Sequence, residues 1–302
     1  GKTSFIDMKE EKLSNFSVLN LTRDLHILLK KMNINKVDVI GHDFGSYIAC
    51  YLSLLYPKVV NSIIIMSMPF PGLPTKKNLK INLMKKINFN LSKLSPPRKH
   101  YQSYFCQPNA EKNILHCKQG LFNFLKGYFY FKSHNYKNNK PFKLAELSAK
   151  ELSKLPEYYI MMRNLGMAET IEKYMPNEKD LYGLKLWLKD KDLNYYTKNF
   201  RKRGLRNPFK WYRMMINDKE KLNIMKLKLK NSLNIPSMFI AGEADWGIYQ
   251  KPGDIETMEK KFFKKFHGVK IVENAGHWVQ QENPKDTAKY ILDFYKNIRR
   301  NN

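Results

Sequence analysis

Apolar positions along this chain switch between two periods. Val18, Leu21, Leu25, Leu28 and Met32 recur at helical spacing, with Ser17 placed as an N-cap. After the short loop Asn33-Ile34-Asn35-Lys36 the pattern changes. Val37-Asp38-Val39-Ile40 reads as a strand and residues 46–56 as a helix, which Pro57 ends. Ser62-Ile63-Ile64-Ile65-Met66-Ser67 is a short β-branched run of the kind buried in a parallel sheet. Met68-Pro69-Phe70-Pro71-Gly72 breaks it. From there to about Asp218 the sequence is basic, aromatic and mostly helical, without strand alternation. Helices are expected over residues 109–126, 156–174 and 190–203. Strand character returns at Ser237-Met238-Phe239-Ile240-Ala241, helical spacing at 255–263, and a last strand at Val269-Lys270-Ile271-Val272. Pro284 opens a final helix, with Ala288, Ile291, Leu292, Tyr295 and Ile298 expected on its buried face.

Strand–helix units on both sides of a helical stretch predict an α/β sheet domain with an inserted helical lid. The core is placed at residues 1–72 and 219–302 and the lid at 73–218. A chain of 302 residues, 43% apolar, can bury one large core or two modest ones. No apolar run approaches the roughly 18 residues of a membrane helix, so no transmembrane segment is expected. Cys50, Cys106 and Cys117 make no disulfide framework, in keeping with a reducing compartment; the localisation itself stays open. The chain starts Gly1-Lys2-Thr3-Ser4, with neither initiator Met nor signal peptide, and reads like the middle of a domain.

Charge changes the picture only locally. The net charge is +27, from 54 Lys and Arg against 27 Asp and Glu. Such an excess suits nucleic acid or an anionic membrane. No zinc-finger, RRM or helix-turn-helix signature accompanies it, so no nucleic-acid partner is expected, and solvated Lys- and Asn-rich faces account for most of the excess. One patch is sharper. Residues 67–110 contain no Asp or Glu, while Lys76, Lys77, Lys80, Lys85, Lys86, Lys93, Arg98 and Lys99 fall inside it.

The candidate chemistry sits between the first strand and the helix after it. Gly41-His42-Asp43-Phe44-Gly45 has the form small-x-nucleophile-x-small. A sharp strand-to-helix turn strains the middle residue's backbone, and side chains on both flanking positions are expected to collide with it. Here the middle residue is Asp43. A carboxylate attacks an amide carbonyl poorly but displaces well at a saturated carbon, giving an ester. Open α/β sheets carry their sites at the carboxyl ends of strands. Asp43 follows the first strand, Asp245 the third and His277 the fourth, in the order nucleophile, acid, histidine. His277 needs a carboxylate to fix its tautomer, and Asp245 is the choice, with Glu243 as its solvent-facing neighbour. An acid after the second strand is excluded by the acid-free patch.

These residues resemble the epoxide hydrolases of the α/β-hydrolase superfamily, over nearly the whole chain. The resemblance rests on the Asp43 segment, on Ala241-Gly242-Glu243-Ala244-Asp245-Trp246-Gly247, and on Gly276-His277-Trp278-Val279-Gln280-Gln281-Glu282-Asn283-Pro284. His100-Tyr101-Gln102-Ser103-Tyr104-Phe105 and Asn207-Pro208-Phe209-Lys210-Trp211-Tyr212-Arg213 are similar to the family's two lid tyrosine segments. The resemblance implies an α/β-hydrolase fold and a small-molecule epoxide substrate. It implies that Tyr101 and Tyr212 hydrogen-bond the epoxide oxygen, with Tyr104 the alternative to Tyr101. It also implies an oxyanion donor at the Phe44 backbone N–H. No metal or organic cofactor is needed for this chemistry. The basic lid suggests carboxylate-bearing epoxides such as those of fatty acids.

Two departures accompany the match. Phe44 stands where the family has Trp, and the family's upstream His-Gly-x-Pro oxyanion motif does not occur in this chain. The N-terminal strands of the fold are therefore expected to be missing, as in a truncated gene model or fragment. Two alternative readings stay open. One is a haloalkane dehalogenase-like hydrolase, which shares Asp, His and an acid but uses halide donors and no tyrosine pair. The other is a truncated, non-catalytic basic binding remnant.

Overall fold

The computed structural model describes residues 12–76 and 83–300. The chain divides into two compact units. Among the described residues, one comprises Leu21–Lys76, Lys132–Leu147 and 221–300; the other comprises 12–20, 83–131 and Ser148–Glu220. The division by sequence kept 132–147 within the helical insertion, whereas these residues group with the sheet.

The first unit is built on four parallel strands, β1 (Val37–His42), β2 (Val60–Met66), β5 (Leu233–Gly242) and β6 (Phe263–Val272), in the order β1-β2-β5-β6. Helix α1 (Val18–Lys31) precedes β1, and α2 (Phe44–Leu55) joins β1 to β2. Ser17 caps α1 as expected, its hydroxyl accepting the Asn20 N–H at 3.0 Å. Ile63, Ile64 and Ile65 are fully buried, which is why β2 reads as an unbroken apolar run. β1 instead alternates partly buried and exposed positions, and its Ile40 is 44% exposed. Leu25, Leu28 and Met32 share a helical spacing yet are exposed as well.

β5 and β6 begin earlier than the apolar pattern indicates. Pro236 lies at a register shift of the β5–β6 ladder, so the strand continues through a residue that lacks an N–H. The helical spacing at 255–263 becomes a short helix (Asp254–Thr257) and a π-turn (Met258–Phe262), and Phe263 already belongs to β6.

The C-terminal helix Pro284–Arg300 forms where expected, in a different phase. Thr287 and Phe294 are its buried residues, with Ile291, Tyr295 and Ile298 half-buried, while Ala288 and Leu292 face out. Thr287 enters the buried face because its hydroxyl bonds back to the Asn283 carbonyl at 2.7 Å. Phe70 is fully buried and meets Tyr47, Tyr51 and Phe262 edge-on.

The second unit is helical, with one two-stranded ladder. β3 (Arg98–His100) pairs antiparallel with β4 (Ile160–Met162). This corrects the helix expected over 156–174, of which only Met167–Glu172 is helical. Tyr158, Tyr159, Ile160 and Met161 are all buried, and a run buried at every position suits a strand as well as a helix. The expected helix over 109–126 is two, Ala110–Leu115 and Gly120–Phe131. The expected Asp190–Arg203 helix is present over those residues, with acids in its first turn, bases in its last, and Gly204 at φ +70° after it.

Phe70→Ala should destabilise the sheet unit by about 3–5 kcal/mol, because three aromatic partners would line the cavity left behind. Chemical denaturation of the purified variant measures it.

Candidate active site

The turn between β1 and α2 holds Asp43 at φ 53°, ψ −118°, a conformation that non-glycine residues rarely adopt. Its N–H donates to the Met66 carbonyl at 3.0 Å and its carbonyl accepts from the Ser46 N–H at 3.0 Å. The Asp43 side chain makes no capping bond to α2, although it occupies the N-cap position. A structural Asp at this place would cap. Its carboxylate is instead about a third exposed and directed to His277.

Only one of the two flanking glycines is sterically required. A Cβ on Gly41 would lie 2.3 Å from the Gly45 carbonyl oxygen and 2.8 Å from the Ser46 nitrogen, whereas a Cβ on Gly45 would meet nothing within 4 Å. The expectation that both glycines are needed is corrected for Gly45. Ser46, fully buried, was not legible as part of the turn. Its hydroxyl lies 3.0 Å from the Gly41 carbonyl and 3.1 Å from the Met66 carbonyl, tying the turn to the end of β2.

His277 and Asp245 complete the cluster within the same unit. His277 Nε2 is 4.0 Å from Asp43 Oδ1, and its Nδ1 is 3.3 Å from Asp245 Oδ1. Both side chains are almost fully buried. Burial pushes the Asp245 carboxyl up, but the neighbouring His277, with hydrogen bonds from His277 and the Gly247 N–H, holds it below the usual range. Asp245 is therefore ionised and fixes the imidazole. Glu243 is engaged elsewhere, accepting the Asn274 N–H at 2.9 Å and pairing with His134 at 3.1 Å.

The histidine loop is held by its backbone. The His277 N–H donates to the Lys132 carbonyl at 3.0 Å, and the His277 carbonyl accepts from His42 Nε2 at 2.7 Å and Ser67 Oγ at 3.2 Å. Burial, then the nearby His277, lowers the pKa of His42, so the ring is neutral with its proton on Nε2. Glu282 accepts N–H groups from His134, Gly276 and Trp278 at 2.8, 2.9 and 3.0 Å. Burial pushes its pKa up to about 7. Glu282 and His42 lie inside motifs quoted above, but their roles depend on contacts that sequence spacing does not reveal.

The helical unit brings the two tyrosines together. Tyr101 opens the helix Tyr101–Phe105 and Tyr212 lies on Arg206–Met215; their rings meet edge-to-face at 5.9 Å. The Tyr101 hydroxyl accepts from Gln102 Nε2 at 3.3 Å. Tyr104 is turned elsewhere, its hydroxyl donating to Asn113, and burial pushes its pKa up to about 12.

Comparison with known proteins bears on the fold. Residues 4–89 match the family described as alpha/beta hydrolase fold. Epoxide hydrolase B of Mycobacterium tuberculosis is 25% identical over 296 residues, covering 94% of this chain and 78% of that protein. Two solved structures are similar. The epoxide hydrolase from an endophytic Streptomyces gives a TM-score of 0.72 at 20% identity, covering 98% of this chain and 78% of that one. Epoxide hydrolase I of potato, Solanum tuberosum, gives 0.68 at 26%, covering 95% and 78%. The chain has the α/β-hydrolase fold. The proteins it is similar to over most of its length are epoxide hydrolases.

Gly41→Ala should misfold or lose more than about 2 kcal/mol of stability, because backbone atoms cannot yield to the new methyl. Gly45→Ala should stay within about 1 kcal/mol of the parent. Paired denaturation curves check both.

Proposed function

We propose that the protein opens an epoxide to a vicinal diol through an ester on Asp43. The observation that carries this reading is a non-capping carboxylate at a strained elbow, 4.0 Å from an imidazole that is itself 3.3 Å from a buried carboxylate. Asp43 attacks a ring carbon, the carbon–oxygen bond breaks, and the electron pair moves to the epoxide oxygen. Tyr101 and Tyr212 are the proposed donors to that oxygen, which would otherwise leave as an alkoxide. Water then attacks Asp43 Cγ and gives its proton to His277 Nε2. Asp245 stabilises the imidazolium, and the Phe44 N–H, at the start of α2, is the proposed donor to the oxyanion. The acyl–oxygen bond breaks, the departing diol oxygen takes the proton held by the His277 imidazolium, the water's second proton replaces the one given by the tyrosines, and the Asp43 carboxylate returns. The names of the relatives support the same reaction.

Asp43→Asn should lower diol formation from styrene oxide by about a thousandfold or more, and His277→Gln should accumulate a covalent adduct one substrate heavier. Wild-type turnover by Asp43→Asn would overturn the reading. Halide release from a chloroalkane, with no diol from any epoxide, would favour the dehalogenase-like alternative.

The substrate class proposed is an epoxide bearing a carboxylate, such as that of a fatty acid. The acid-free basic stretch at residues 67–110 supports it, and a cavity of about 570 Å³ in the helical unit, lined by neither Tyr101 nor Tyr212, falls partly in that stretch. Lys85, Lys99 and Arg163 line it with Met84 and Ile216, and its described lining carries no carboxylate. Burial disfavours the Lys99 charge; Glu169 opposes that effect and Arg163 adds to it. A fatty-acid epoxide should therefore turn over faster than its methyl ester. Equal kcat/KM for the two would sink this assignment.

A further inference from the structure

The reaction scheme uses two carboxylates and a histidine but no lysine, yet a lysine lies in the cluster. Lys132 lies at the start of the segment Lys132–Leu147, which packs with the sheet. It is 6% exposed, an unusual burial for a lysine. Its carbonyl holds the His277 N–H at 3.0 Å, and its Nζ is 5.5 Å from the Trp278 ring centre. Trp278 in turn meets the His277 ring edge-on at 4.8 Å.

The segment is pressed onto the histidine loop. A Cβ on Gly276 would lie 2.6 Å from the Lys132 carbonyl oxygen and 2.8 Å from the His134 nitrogen. Only a glycine at 276 lets the backbone at Lys132 come this close. Burial lowers the Lys132 pKa, while Asp43 first and then Asp245 favour its charged form. The ammonium therefore lies within the field of both carboxylates.

We infer that Lys132 is a positioning residue for the second half-reaction, its ammonium favouring return of negative charge to Asp43 during ester hydrolysis. This rests on the Asp43-ester reading. The argument follows the charge. In ester formation, negative charge leaves Asp43 for the epoxide oxygen, and a cation beside Asp43 opposes that movement. In hydrolysis, water adds to Asp43 Cγ, the carbonyl oxygen becomes an oxyanion, and collapse restores the carboxylate. A cation beside Asp43 favours each of these changes. Lys132 thus trades some speed in the first step for speed in the second.

The test uses Lys132→Met and Lys132→Arg in single-turnover experiments with an excess of enzyme over styrene oxide, following the covalent ester by mass spectrometry. In Lys132→Met the ester should form at least as fast as in the parent and decay about tenfold more slowly. Steady-state kcat should fall and KM fall with it, since ester accumulates. Lys132→Arg should recover most of the decay rate. Ester decay is first order in the ester formed, so only folded, reactive protein is counted and a partly unfolded preparation does not mimic the effect.

In the parent, decay should slow as alkaline pH removes the Lys132 proton, at a lower pH than an ordinary lysine would require. Asp43 and Asp245 face the ammonium, and the His42 and His277 rings lie in the same cluster. The comparison with Lys132→Arg, whose guanidinium keeps its proton, isolates the lysine. Parental ester decay in Lys132→Met would overturn the inference. Absence of any ester in the parent would instead overturn the Asp43 mechanism.

Discussion

The strained turn at Asp43 is the constraint on which the rest of the site depends. A positive φ at a non-glycine residue costs free energy, and here the cost is met by neighbours that leave the chain no alternative. Gly41 lets the start of α2 come against the end of β1, and Ser46 ties that contact to the last carbonyl of β2. Because β2 also pairs with β5, and β5 with β6, the turn is in fixed register with the strands that lead to Asp245 and His277. The parallel sheet positions all three side chains at its carboxyl edge.

Burial then sets what those side chains can do. Asp245 is enclosed, and its ionised form survives because His277 and the donors around it outweigh the desolvation. Asp43, a third exposed, is left open for a substrate, and its 4.0 Å separation from His277 Nε2 lies outside a direct hydrogen bond. One water can contact both groups. The loop carrying His277 owes its shape less to side-chain packing than to backbone groups bound by Glu282, Lys132, His42 and Ser67. A histidine held by its own main chain keeps its ring in place when the charge on Asp43 changes.

The sequence was most legible where one interaction dominated. Fully buried strand centres such as Ile63–Ile65 announce themselves, because both faces must be apolar. The Asp190–Arg203 helix was legible to its ends, since charged turns and a following glycine mark both. Legibility failed where tertiary contact overrode local pattern. Residues 156–174 became a strand and a short helix because Tyr158–Met161 are buried at every position, which hides the period. The strand expected from Ser237 begins at Leu233 and runs through Pro236, which lies at a register shift. In the last helix, Thr287 turned inward through a backbone hydrogen bond that hydrophobicity does not encode. Within the candidate site, Asp43, Asp245 and His277 were found from their place after strands, and the structure gathers them into one cluster. Tyr101 and Tyr212 came from the resemblance alone.

The residues that reading missed share a physical character. Ser46, Glu282 and Lys132 act through main-chain groups or through charge at a distance, and neither property leaves a spacing pattern. Lys132 is the clearest instance. As one of 54 basic residues in a chain of net charge +27, it is indistinguishable by sequence from the solvated majority. Its burial beside two carboxylates separates it from them. Placing an ion in a low-dielectric site is costly unless opposite charges face it, and Asp43 and Asp245 supply that compensation. The same compensation makes the cluster responsive to chemistry. On the proposed pathway, esterification of Asp43 removes one of the two negative charges that favour the Lys132 ammonium, and hydrolysis restores it. A buried charge so placed would favour completion of that cycle over arrest at the intermediate.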